Sequence, residues 1–201
     1  MDTTQEMDQL ASDSPCIDAR RRVLLRAPGL MALGSLAAVS LGQSMPAWAQ
    51  TQSGSVKDDV NILNVALGLE YQAIAAYQVG AESGLLQKPV LATAVKFQGH
   101  HKAHASVLAG AVSKLGGTPV MEKTVAEYNF PVSQLKTQAD VLRFAAGLEK
   151  GAASAYLGVI PSFYTRDLAK AAASILGDET MHWAALLSAL GEDPVPVAFI
   201  S

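Results

Sequence analysis

Cysteine is nearly missing from the 201 residues: Cys16 stands alone, and from Gln50 onward there is no thiol at all. That excludes a disulfide framework and any Cys-ligated metal over the region that carries the fold's periodic pattern. Charge is sparse as well. Charged residues make up 16% of the chain, and 15 basic against 18 acidic side chains leave a net charge of −3. After Gln50 no run of Lys or Arg occurs, so no nucleic-acid partner is expected. Sustained period-two alternation is absent, which argues against any sheet. The uncharged apolar run Ala27 to Leu41 is too short to cross a bilayer comfortably as a permanent helix.

What stands at the start is an address. Arg20-Arg21-Arg22-Val23-Leu24-Leu25-Arg26 resembles the twin-arginine export motif, the apolar run follows it, and Ala47-Trp48-Ala49 is a small-x-small cleavage site. Residues 1–19 are polar and acidic and predict a disordered leader. Residues 1–49 are therefore expected to be a twin-arginine signal peptide, handled by the twin-arginine export machinery. The product would be a periplasmic protein with no stable membrane anchor; a retained anchor is the alternative. Four basic and five acidic residues lie in this leader, so 11 basic and 13 acidic remain and the net charge becomes −2. Without disulfides in an oxidising compartment, a packed core must hold the fold. Residues 50–201 are enough for one domain with one core.

That domain reads as four helices. Ser55 with Asp58 predicts a capping box and a helix from about Val56. Val60, Leu63, Leu67, Glu70, Ile74 and Tyr77 step by three and four, with stops expected at Gly80 and Ser83-Gly84. Pro89 suits the first turn of a second helix, whose stripe is Ala94, Phe97, His101, His104, Leu108, Ala111 and Leu115. Gly116-Gly117 and Pro119 end it. Residues 118–136 form the one long connection, as suits a bundle that must run its own length before the second hairpin. Thr137 with Asp140 opens a third helix carrying Leu142, Ala145, Glu149, Ala152 and Tyr156, and Pro161 breaks it. The fourth starts near Asp167, shows Ala172, Ile175, Glu179, His182, Leu186 and Leu190, and stops at Gly191. The apolar tail Pro194 to Phe199 is expected to lie extended against the bundle.

The hairpin is written twice. Gly68-Leu69-Glu70 through Ala76-Tyr77 aligns with Gly147-Leu148-Glu149 through Ala155-Tyr156. Gln98 to His104 aligns with Leu176 to His182, which sets His101 against Glu179 and His104 against His182. Glu70 precedes His104 by 34 positions, and Glu149 precedes His182 by 33. Glu179-x-x-His182 alone is a weak signal, and a solvated pair would explain it. Six such positions paired across a repeat point further. Glu70, His101, His104, Glu149, Glu179 and His182 all fall on apolar stripes, where unpaired carboxylates would be costly to bury. A shared cation removes that cost. Three carboxylates and three imidazoles, all O and N donors, suit Fe, Mn or Zn better than Cu(I). His100 and Gln98 are neighbours of the site rather than ligands. Tyr77 and Tyr156 each follow a repeat Glu by seven residues, ~10 Å along a helix axis. They read as core residues with satisfied hydroxyls, with a role beside the ligands as the alternative.

The arrangement resembles the ferritin-like di-iron and di-manganese carboxylate bundles, in which two helices give one Glu each and two give Glu-x-x-His. The stretch Ala173 to Phe199 looks like the C-terminal half of exported ferritin-like domain proteins grouped with desiccation-related proteins. The resemblance implies an all-α, antiparallel four-helix bundle over residues 50–201, with a long connection between helices 2 and 3. It implies Fe or Mn, two ions or one, held by the six residues above. Glu70 and Glu149 match the single-Glu positions, Glu179 and His182 one Glu-x-x-His, and His104 the other motif's His. His101 departs from the pattern: it stands where a bridging Glu belongs, so the site's charge falls from four minus to three minus. An asymmetric pair, or a single ion, follows. The activity implied is oxidoreductase chemistry with dioxygen or peroxide. The alternative is a metal-binding or metal-free stress protein without turnover. Iron storage fits less well, since neither a surplus of acids nor a cage-forming extra helix is evident. A homo-oligomer stays open.

Overall fold

The computed structural model describes residues 54–200; the leader assigned to residues 1–49 lies outside them. Among the described residues there are four long helices and no strand. Helix α1 spans Val56–Glu82, α2 Lys88–Lys114, α3 Gln138–Val159 and α4 Arg166–Leu190. The starts of α1 and α3 are set by reciprocal capping. Ser55 and Thr137 each accept from the backbone N–H three residues on, while Asp58 and Asp140 accept from the cap N–H. The ends are set by residues that leave helical geometry cheaply. Gly116 (φ +80°) and Gly191 (φ +74°) adopt the left-handed conformation after α2 and α4. Pro161 turns the end of α3 into a 3-10 turn at Ile160–Ser162.

Gly80 does not stop α1, contrary to expectation; the helix runs through it to Glu82. A single glycine costs a helix only about 1 kcal/mol, and here the backbone is buried against α3.

Two hairpins pack together, α1 with α2 and α3 with α4. The contacts at the bundle ends fix the directions. The Gln87 N–H donates to Gln138 Oε1 at 2.8 Å, joining the starts of α2 and α3. The backbone N–H groups of Tyr164 and Thr165 donate to Asp59 at 2.8 and 3.0 Å, joining the starts of α1 and α4. Each hairpin is therefore antiparallel, while α2 and α3 run the same way. The connection 118–136 must climb the whole bundle, which is why it is long. It does so through 3-10 turns at Val125–Tyr128 and Val132–Gln134, and Asn64 of α1 ties it down through Thr118 O (3.0 Å) and Val120 N–H (2.8 Å).

The apolar core comes in two parts. Leu63, Leu67, Leu108, Val112, Tyr156, Phe163 and Ile175 fill the end where α1 and α4 begin. Tyr77, Ala94, Phe97, Leu142, Ala146 and Leu186 fill the other. The polar stripe positions lie between them. The tail is a correction: Val195 is 77% and Phe199 88% exposed, so it does not lie against the bundle. Two prolines keep it out of a helix but give it nothing to bury against. No helix among the described residues is long and apolar enough to cross a membrane.

Candidate metal centre

All six sequence-predicted residues meet between the two core clusters. Glu70 comes from α1, His101 and His104 from α2, Glu149 from α3, Glu179 and His182 from α4. Five of them are 2% exposed or less, and His104 is half-buried at the rim. They form two overlapping quartets, Glu70–His101–His104–Glu179 and His101–Glu149–Glu179–His182. Within each group, one ligand atom per residue lies within 4.8 Å of all the others. His101 and Glu179 belong to both.

His101 sits at the middle. Its Nδ1 is 2.8 Å from Glu70 Oε2 and its Nε2 is 3.3 Å from Glu149 Oε1. One ring thus spans the two single-Glu positions of the repeat. Burial alone would pull this imidazole down, but Glu149 and Glu70 outweigh it and push it up to about 10. His104 is treated the same way: burial lowers it, Glu179 and Glu70 raise it, and the result is about 9. Without metal, both rings are therefore cationic at neutral pH. Glu70 is lowered, its burial outweighed by His101 and His104. Glu149 is lowered too, against burial, by His101 and His182. Glu179 moves the other way, up to about 8, because it is buried and lies against Glu149.

The tyrosines cross the repeat. Tyr156 Oη donates to Glu70 Oε1 at 2.5 Å, and Tyr77 Oη donates to Glu149 Oε1. Each ring serves the carboxylate of the other hairpin, not the Glu seven residues before it. Both phenols are raised, first by burial and then by the carboxylates they touch. Gln98 turns away from the site, with Nε2 donating to Ile74 O and Gln78 Oε1.

Sequence reasoning missed Asp178. Its Oδ2 lies 3.3 Å from His104 Nε2, 3.3 Å from His182 Nε2 and 3.1 Å from His100 Nδ1. The inner nitrogens of His104 and His182 face Glu179 and Glu149 respectively, so one carboxylate braces the outer edge of two candidate ligand rings. The signal was present. Asp178 is four residues before His182 and pairs with His100 in the repeat, and the two counterparts meet across α2 and α4. Lying one position off the apolar stripe hid Asp178, while His100 was already expected beside the site.

The donor set fits a metal. His104 Nδ1, Glu149 Oε2, both oxygens of Glu179 and His182 Nδ1 are buried without a hydrogen bond. These are ligand atoms of the quartets. His104 Nδ1 comes within 3.3 Å of Glu179 Oε1, and His182 Nδ1 within 3.4 Å of Glu149 Oε2, yet neither contact has hydrogen-bond direction. They divide between the two quartets, His104 Nδ1 in one and Glu149 Oε2 and His182 Nδ1 in the other, with Glu179 in both. Buried polar atoms are normally satisfied, and a cation in each quartet would satisfy them.

The ferritin-like domain family matches residues 58–192. The chain belongs to that family. Among solved structures, the ferritin-like chain is similar to a conserved hypothetical protein, rv2844, from Mycobacterium tuberculosis. They are 25% identical with a TM-score of 0.61, over 72% of this chain and 99% of that one. It is also similar to ferritin like, diiron-carboxylate proteins from Bacillus anthracis str. Ames. There the identity is 23% and the TM-score 0.58, over 67% of this chain and 96% of that one, which speaks to fold alone. Comparison with curated proteins yields no match. The four-helix bundle over these residues is the ferritin-like fold.

Proposed function

We propose that this ferritin-like protein is exported by the twin-arginine route, holds Fe or Mn in the two quartets, and carries out redox chemistry with dioxygen or peroxide. The observation that supports this most is the set of buried, unbonded ligand atoms converging from four helices. Glu70, His104 and Glu179 would hold one ion, and Glu149, His182 and Glu179 the other, with His101 between them. Two such ions, when bound, would supply redox chemistry toward dioxygen or peroxide, rising in oxidation state as the oxidant is reduced. The protein's own contribution is positioning and dryness. Tyr156 and Tyr77 fix the orientation of Glu70 and Glu149 by donating to one oxygen of each; the second oxygen of Glu149 has no hydrogen bond, and that of Glu70 faces His101 Nδ1. Asp178 puts a negative charge 3.3 Å from the outer nitrogens of His104 and His182, and His182 Nε2 makes its hydrogen bond with His100 Nδ1 at 2.8 Å, so both rings are braced on the edge away from the centre. The apolar clusters on both sides exclude water.

One observation favours a second reading, a protein without turnover. His101 lies between Glu70 and Glu149 as a cation, and with His104 beside Glu70 as a second one the two carboxylates are balanced with no metal at all. Elemental analysis of protein recovered from its native export route separates the two, followed by oxygen and peroxide consumption with and without Glu149→Ala. Two Fe or Mn per chain and consumption that vanishes in the variant are expected. A stable, inert, metal-free bundle would favour the second reading.

A further inference from the structure

The internal repeat makes one comparison inside the same molecule. On the first hairpin, Ala76, Tyr77 and Gly80 face Val141, Ala145 and Leu148 around a cavity of about 240 Å³. Their repeat counterparts, each 79 positions away, are Ala155, Tyr156 and Val159, facing Ile62, Ala66 and Leu69. These line a void of only about 20 Å³, room for about one water. Two differences open the larger space. Val159 is replaced by Gly80. Phe163, which is buried in the core around Tyr156, has Gly84 as its counterpart, and Gly84 does not line the cavity. One end of the bundle is packed shut and the matching end is open.

The open end is built for an apolar guest. Its lining is aliphatic and aromatic apart from Thr93 and the Tyr77 phenol, and both hydroxyls are engaged, with Pro89 O and Glu149. No charge lines it. An apolar cavity of about 150 Å³ already takes up benzene, so this one exceeds what a single ring needs. Ala185 and Ala189, both exposed, line it on α4. Its inner wall is Tyr77, whose ring lies 5.4 Å from that of His101 and whose hydroxyl bonds Glu149.

We infer that this cavity is a binding site for a small uncharged apolar molecule, a single aromatic ring or a short alkyl chain, seated one side chain away from the Glu149–His101 centre. Toluene is the probe, titrated calorimetrically into metal-free full-length protein, so the outcome is separate from the metal reading. Saturable one-to-one binding is expected, with a negative heat-capacity change, and no binding of phenylacetate, which carries a charge. Gly80→Val gives this end the residue that the other end already has. It should weaken toluene binding roughly tenfold or more, because the added carbons occupy the void. A Cβ at Gly80 would meet Val141 Cγ1 at 3.1 Å, so folding of that variant is checked by circular dichroism. Ala189→Phe, at an exposed position, provides a second block that leaves the core untouched. The inference is overturned by absence of saturable toluene binding, or by both variants binding toluene as tightly as wild type. It is also overturned by binding that appears only after residues 194–201 are removed, which would make the apolar tail the occupant.

Discussion

Replacing His101 with glutamate restores the residue that the ferritin-like pattern has at this position, and it should make the protein depend on metal. In the metal-free chain His101 is a buried cation 2.8 Å from Glu70 and 3.3 Å from Glu149. His101→Glu puts a fourth carboxyl among three and removes the partner both acids use. Deleting one partner of a buried pair costs about 3–5 kcal/mol, with the lower end expected because the new acid can take up a proton. At roughly 2–4 °C per kcal/mol for a domain of this size, the metal-free melting point should fall by roughly 6–20 °C. Metal should then matter more, since four carboxylates neutralise two divalent ions better than three. An ion at one hundred times its Kd adds about 2.7 kcal/mol, and the variant should gain more than wild type from the same Mn(II). Thermal melts of chelated and Mn(II)-loaded protein measure both effects. A metal-free variant that melts with wild type, or one that Mn(II) stabilises less, refutes the placement of His101 as the internal counter-charge.

The pH dependence of the metal-free protein follows from the same groups. His101 and His104 are raised from 6.5 to about 10 and about 9, so their stabilisation is complete below pH 6.5 and is lost as pH climbs through 9 to 10. Glu179, raised from 4.5 to about 8, adds a loss of the same sign between those values. Chelated protein should melt lower at pH 9.5 than at pH 6, and a flat or rising profile contradicts this. Asp178→Asn removes the negative charge 3.3 Å from the outer nitrogens of His104 and His182 and should lower metal affinity roughly 10- to 100-fold with the bundle intact, as read by competition with a metal indicator. Asp59→Ala should cost about 2–4 kcal/mol in urea unfolding, since it strands two backbone N–H groups at the start of α4, whose own cap residue Thr165 makes no side-chain bond. A loss under about 0.5 kcal/mol would show that those groups find other partners.

Much of the site was legible because it breaks a local rule. Glu70, Glu149, Glu179 and the histidines interrupt apolar stripes, and helical periodicity exposes any interruption. The capping boxes at Ser55 and Thr137 were legible for a similar reason, since each is complete within four residues. Gly80 was misread because helix termination depends on what the backbone packs against, not on the residue alone. The tail was misread because apolar composition says that a segment can be buried, not that a surface is there to receive it.

By itself the amino-acid sequence determined the elements and their duplication: where the helices start, which face of each is apolar, and which six side chains are set into those faces. Only the tertiary structure decided partners. Periodicity places a residue on its own helix and says nothing of the helix opposite. Hence Tyr77 serves Glu149 rather than Glu70, and Asp178 joins two histidines from a position off the stripe. Two halves that share so many residues also pack differently, because packing sums small differences such as Gly80 against Val159 over the whole end of a bundle, leaving one end closed and the other open.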